Sequence, residues 1–375
     1  MSEAEKKSPL KKLIPSEVLK GESPLVLTAT LEPIVGDRFQ PAGFPEIGHV
    51  IYKAPRTGGR TENVCIVDSA ASMANHLESV CQRSAHDLEL VDDLDGMPYI
   101  RCVTNTTEGK VPTKEREVVV TSLTEGHRIA SSYFLEGSTI DPVGKIGKSF
   151  QEELENTFGV EPKGSKNAHP PPEKWWSVFR EIFLRDPNAL VHGVLFPQWQ
   201  IKISRALTSH HEAFGAGRVD RSGVKFDRLG KTTSGQPIFA VDDTTAESIR
   251  ATFVIDVDLI RSFGRTKKVD GKDTQLGLSE KQQEFLVALA LWKIERLLAS
   301  PFRFRSGCHL RCTTLKSYDQ EVAIEVDIKA AITAASFGER RITDVFWPRE
   351  ELYREGQAAP TKNADEDNGS EETEG

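Results

Sequence analysis

Basic side chains set among glycines recur along this 375-residue chain. The stretch GDRFQPAGFPEIG opens at Gly36 and carries Arg38, Phe39, Gln40 and Gly43, and the residues after it bring Lys53, Arg56 and Arg60. Lys202 and Arg205 come next, and SHHEAFGAGRVDRSGVKFDRLGK supplies His210, His211, Lys225 and Arg228. FRFRSGCHLRCT, from Phe302 to Thr313, alternates apolar residues with Arg303 and Arg305. Lysine and arginine beside glycines that let the backbone come close are suited to phosphate contact, which positions a nucleic acid without reading its sequence.

Other chemistries fit less well. GKIGKS, Gly144–Ser149, imitates the end of a phosphate-binding loop, but the first glycine of that motif would stand where the chain has Pro142. Cys308 and Cys312 fall on the apolar parity of their stretch and His309 on the other, so the trio does not read as a zinc site. Neither a GxSxG elbow nor an HExxH helix is present, and no cofactor or metal is expected. His210 and His211 lie near Glu212 and Asp220, which leaves acid-base or metal-nuclease work open, although adjacent side chains on an extended segment point opposite ways. The aromatic signature of base-reading RRM proteins is missing.

The elements that must hold these residues are legible from periodicity. Leu25–Glu32 reads as a strand, and NVCIVD as a second, short one. A helix follows, with Asp68 or Ser69 as its cap and Ala70, Met73, Ala74, Leu77, Val80 and Cys81 as a buried stripe. Its other face, Ser72, Asn75, His76 and Ser79, is small and uncharged, as expected of a face lying against something polar, be it a ligand or another loop. The long loop between the strands is either a binding loop or a structural Ω-like one.

Further strands are expected at Pro98–Val103, Glu117–Leu123, Leu190–Phe196 and Gln200–Arg205, with a short helix in TEGHRIASSYFLEG. Trp175, Trp176, Phe179, Ile182 and Phe183 share one helical face, more in the manner of core than of base stacking. Thr208–Glu247 is rich in Gly, Ser, Thr and charge, which suits a projecting hairpin or a disordered surface insertion. A half-buried strand is expected from Arg250 to Leu259, and Ser279 with Gln282 forms a capping box before an apolar helix, Phe285–Leu298. If FRFRSGCHLRCT is one strand, its odd positions form a basic strip.

Composition places the chain broadly. The formal net charge is −8, but Thr361–Gly375 holds six acids against Lys362 and so carries five of those eight charges. A mildly acidic body can carry a local basic groove. Five scattered cysteines without a CxxC pair point to a reducing cytoplasm, and the longest apolar run is far too short for a membrane span. The expected division is a polar segment at 1–23, one domain at 24–355 with an insertion at 208–247, and an acidic disordered tail at 356–375.

Taken in order, RFQPAGFPEIG, CIVDSAASMANHLESVC, EGHRIASSYF, LVHGVLF, ISRALTSHHEAF with RSGVKFDRL, and ALALWKIERLLASPFRFRSGCHL resemble the backbone subunit of type I-G (formerly I-U) CRISPR Cascade complexes, a branch of the RAMP superfamily. These blocks run from about residue 24 to 312, most of the chain. The resemblance implies an α+β fold, an RRM-like (ferredoxin-like) palm with inserted finger and thumb regions, the thumb at 208–247. It also implies a non-catalytic subunit that polymerises along CRISPR RNA, each thumb kinking the guide so that intervening bases pair with target DNA. The implied partners are CRISPR RNA, target DNA, further copies of the chain, the repeat-end-binding and large Cascade subunits, and a recruited helicase-nuclease. Guide contacts are then expected at Arg38, Phe39, Gln40, Gly43, Arg60, Ser72, Asn75, His76, Lys202, Arg205, His210, His211, Lys225, Arg228, Arg303 and Arg305. The alternative in the same superfamily is a guide-directed RNA endonuclease, with Asp37 or Asp220 as its acid.

Overall fold

The structure is a computed structural model that describes residues 10–43, 48–161, 168–219, 243–269, 271–338 and 342–353. In chain order the first elements are β1 (Lys11–Leu13), α1 (Pro15–Lys20), β2 (Leu25–Pro33), β3 (Arg38–Phe39), β4 (Ile51–Pro55), β5 (Thr61–Asp68) and α2 (Ala70–Ser79). Next come β6 (Tyr99–Asn105), β7 (Arg116–Thr121), α3 (Ser132–Leu135), β8 (Ser138–Ile140), β9 (Ile146–Ser149), α4 (Phe150–Phe158), α5 (Trp175–Arg185), α6 (Pro187–His192), β10 (Val194–Phe196), β11 (Ile201–Ile203), β12 (Leu207–Phe214) and β13 (Gly217–Val219). The last are β14 (Asp243–Thr245), β15 (Ser248–Ile255), α7 (Val257–Ser262), β16 (Gly264–Val269), β17 (Lys272–Gly277), α8 (Glu280–Leu298), β18 (Phe302–Arg305), β19 (Cys308–Ser317), β20 (Gln320–Ile324), α9 (Ile328–Ala335), β21 (Ile342–Phe346) and α10 (Arg349–Leu352).

The fold is α+β, as expected. A nine-stranded sheet runs β1-β20-β19-β2-β15-β12-β5-β4, with β18 added against β19. Its central strands alternate: Leu27, Ala29 and Leu31 of β2, Ala251, Phe253 and Ile255 of β15, and Ser209, His211 and Ala213 of β12 all turn to one buried face. Helices α2 and α8 cover that face. Helix α8 begins at the expected capping box, where Ser279 Oγ accepts from the Gln282 amide and Gln282 Oε1 accepts from the Ser279 amide. It is buried almost all round, from Phe285 through Ile294, because it also meets α1, α6, α7 and α9. A second, five-stranded sheet runs β7-β6-β21-β8-β9. Among the described residues no helix is long and apolar enough to cross a membrane.

Five expectations change. The segment 1–23 is not simply a polar terminus: β1 pairs in parallel with β20, and Leu13, Val18 and Leu19 are buried. The expected strand over Leu190–Phe196 begins as helix α6, because Pro187 presets the first helical turn and Gly193, at φ +81, ends it. The strand from Arg250 stops at Ile255, where the Asp256 side chain accepts from the Leu259 amide and caps α7. Phe302–Thr313 is a hairpin, turned at Gly307 with φ +81, and not one strand. Finally, 208–214 belongs to β12, a central strand of the large sheet, so that the described base of the insertion is β13 and β14.

Candidate nucleic-acid interface

The site is built outward from Asp68, the last residue of β5. Its carboxylate is 1 % exposed and lies at the start of α2, where Ser69 caps the helix by accepting from the Ser72 amide. Residues 68, 72 and 76 fall on one face at successive turns. Asp68 accepts from Ser72 Oγ at 2.9 Å, from its neighbour's amide at 2.9 Å, and meets His76 Nε2 at 3.3 Å. From the other side Arg305 Nη2 donates to it at 2.7 Å, while Arg305 Nη1 donates to the Val67 carbonyl at 3.0 Å. Burial alone would push the Asp68 carboxyl up, but the hydrogen bond from His76, the Arg305 charge and the Ser72 hydroxyl together hold it below the usual carboxylate range. Asp68 therefore fixes three polar side chains from two distant parts of the chain.

Phe304 closes the joint beneath them. Its ring meets His76 edge-on at 5.0 Å and lies 4.4 Å from the ring of His211. His211 is 1 % exposed, and burial pushes it down to about 3, so it is a neutral core residue. Cys308 lies on the same inner face, where burial pushes its thiol up to about 12.

The loop after β2 is bolted across this joint. The Gln40 amide donates to the Gly307 carbonyl at 2.9 Å and the Ala42 amide to the Val67 carbonyl at 2.8 Å. β3 pairs with β14, setting Arg38 opposite Thr245 and Phe39 opposite Thr244, and Thr245 Oγ1 donates to the Asp37 carbonyl. Arg38 reaches Asp243 at 3.7 Å. The insertion's base, the loop and the β18–β19 turn thus share one backbone framework.

The structure brings together Arg38, Gln40, Gly43, Ser72, Asn75, His76, Arg303 and Arg305 around Asp68 and the loop that covers it. Arg38, Gly43, Asn75 and Arg303 are exposed. Two expected contacts are corrected: Phe39 and His211 are each 1 % exposed, because both side chains point to the core face, and neither can reach a surface ligand. Arg60 stands apart in the exposed turn between β4 and β5. Lys202 and Arg205 are exposed on and after β11, beyond the far end of β12. His210 is exposed on the sheet face opposite the helices. Lys225, Arg228 and Asp220 lie outside the described residues.

The basic strip is also changed in character. Arg305 is committed to Asp68 and Arg311 to Glu32, while Arg303 is exposed, donates to Ser306 Oγ, and has no carboxylate partner among the described residues. Sequence reasoning missed a buried polar network behind the site. Glu78 takes two bonds from Arg128, at 2.7 and 2.8 Å, and a third from Asn188. Lys293 donates to Asn188, and Arg128 donates onward to the Gly193 carbonyl at 3.1 Å. The available signal was a lone charge inside an apolar stripe, Glu78 beside Leu77 and Lys293 within ALALWKI. Among the described residues no group of three or more His, Cys, Asp or Glu converges to hold a metal ion.

A family model described as CRISPR-associated protein GSU0053 matches residues 25–218, just over half of the chain. The matched span runs from β2 through the loop and α2 into β13 and includes Glu78, Arg128 and Asn188 of the buried network, while Lys293 lies beyond it. No curated protein matches the chain.

Proposed function

Because the chain belongs to the family of CRISPR-associated protein GSU0053, we propose that it is the backbone subunit of a type I-G effector complex. In this reading it is a non-catalytic protein with an RRM-like palm that polymerises along CRISPR RNA in antiviral defence. Each copy grips the guide's backbone and leaves its bases to pair with target DNA. Neighbouring copies, the repeat-end-binding and large subunits and a recruited helicase-nuclease complete the assembly.

The observation that carries this reading is the convergence around Asp68. Loop 36–43, the outer face of α2 and the β18–β19 turn lie far apart in sequence, yet they present one surface of guanidinium, imidazole and amide groups. Such donors grip phosphate and ribose and tolerate any base sequence, which is what a guide carrier requires. The test is to load the protein with guide RNA and add complementary RNA with magnesium. The complementary RNA is expected to stay intact; evenly spaced cuts would instead make the chain a guide-directed RNA endonuclease, with the exposed Asp37 beside Arg38 as the acid to replace.

A further inference from the structure

The hairpin of β16 and β17 projects from the fold and takes no part in the surface described above. Its root is firm. The Gln283 side chain donates to the carbonyls of Arg261 and Gly264, and the Leu278 amide donates to the Phe263 carbonyl. The two root glycines lie so close to their surroundings that a Cβ at Gly264 would meet the Leu278 carbonyl oxygen at 2.0 Å and one at Gly277 would meet the Phe263 carbonyl oxygen at 2.2 Å. Beyond the root, Arg265, Lys267, Lys268 and Lys272 are exposed.

The register sorts these charges. Arg265 pairs with Leu276, Lys267 with Thr274 and Val269 with Lys272, so Arg265, Lys267 and Lys272 share one face. Thr266 pairs with Gln275 and Lys268 with Asp273, so the described acid of the hairpin lies on the other face, opposite a lysine. Arg265 is set over the Trp176 ring at 5.5 Å. Lys267 and Lys272 form no ion pair among the described residues. Apart from Val269, the two strands carry only polar, charged or glycine residues as far as Gln275, which leaves little for the apolar core of a protein interface.

We propose that this hairpin is a second nucleic-acid contact, its Arg265–Lys267–Lys272 face binding the phosphates of a strand. It is separate from the guide surface. β15 has the insertion's base at its Ser248 end and leads through α7 to the hairpin from its Ile255 end, and its eight residues span about 24 Å. The inference rests on the proposed function only in taking a nucleic acid as the ligand.

The test uses the full chain and two labelled probes, oligouridine RNA and a mixed-sequence duplex DNA, titrated over a range of salt. Lys267→Gln with Lys272→Gln is compared with Lys268→Gln and, for the guide surface, with Arg303→Ala. The double variant is expected to keep the wild-type circular dichroism and melting temperature, bind at least one probe several-fold more weakly, and flatten its log-log salt slope by roughly 1.5. Lys268→Gln is expected to change the slope by less. Which probe responds tells RNA from DNA. Unchanged affinity and slope for both probes would overturn the hairpin contact, as would unchanged binding with altered self-association, which would assign the hairpin to a neighbouring copy. Loss with Arg303→Ala alone sinks the hairpin and keeps the guide surface; loss with the double variant alone does the reverse.

Discussion

Asp68 and Arg303 play opposite parts in the proposed interface, and substitution separates them. Asp68 is buried and holds Arg305, Ser72 and His76 in place, so Asp68→Asn gives up a charge pair and its organising role together. Arg305 keeps 24 % of its side chain exposed, which tempers the loss to about 2–3 kcal/mol. Urea unfolding should show that cost, and RNA affinity should fall alike for unrelated sequences. Arg303→Ala, at an exposed site, should weaken RNA binding with stability within about 0.5 kcal/mol of the parent. His211 yields a prediction about pH. Burial depresses it to about 3, and neither ring nitrogen has a hydrogen-bond partner among the described residues. Between about pH 6.5 and 3 the unfolded chain holds a proton that the native one does not. Its contribution is therefore complete above about 6.5 and declines on acidification by up to about 1.4 kcal/mol per pH unit. Urea melts of His211→Leu from about pH 7 to 4 should show a dependence shallower by about one proton; an unchanged slope would mean that His211 is protonated in the fold.

At the scale of elements, the buried network sets how α2, α6 and α8 meet. The Glu78 and Arg128 side chains are 4 % and 7 % exposed, so Glu78→Ala strands a buried guanidinium and should cost about 3–5 kcal/mol. Glu78→Leu combined with Arg128→Met should cost less than the two single changes added, which a double-mutant cycle in urea reads directly. Local signals account for what the sequence made legible: β2, the stripe of α2 and the capping box of α8 follow from alternation, 3.6-residue spacing and a cap pair. Tertiary context decided the rest. Apolar LVHGVLF suits a strand or a helix, and only Pro187 and Gly193 show that its first half is helical. FRFRSGCHLRCT keeps its inward Phe304, Cys308 and Leu310 whether it runs straight or turns at Gly307. The small, uncharged outer face of α2 implies a polar neighbour, but the identity of Asp68 and Arg305 as its anchors depends on two segments more than 200 residues apart meeting.

For the whole molecule, the acidic total charge and the basic contacts are compatible because five of the eight net negative charges sit in Thr361–Gly375. In the proposed reading the guide surface and the β16–β17 hairpin, toward opposite ends of β15, are two separated places for phosphate. A carrier of this kind adds copies in proportion to the length of its RNA and is indifferent to the RNA's sequence. The most direct measurement is the mass of the particles formed by the purified protein on RNAs of unrelated sequence and increasing length, with the RNA then recovered and sized. Mass is expected to rise in whole-chain steps with RNA length, equally for unrelated sequences of the same length, with the RNA recovered intact. A fixed stoichiometry at every length, or RNA recovered shortened, would contradict it.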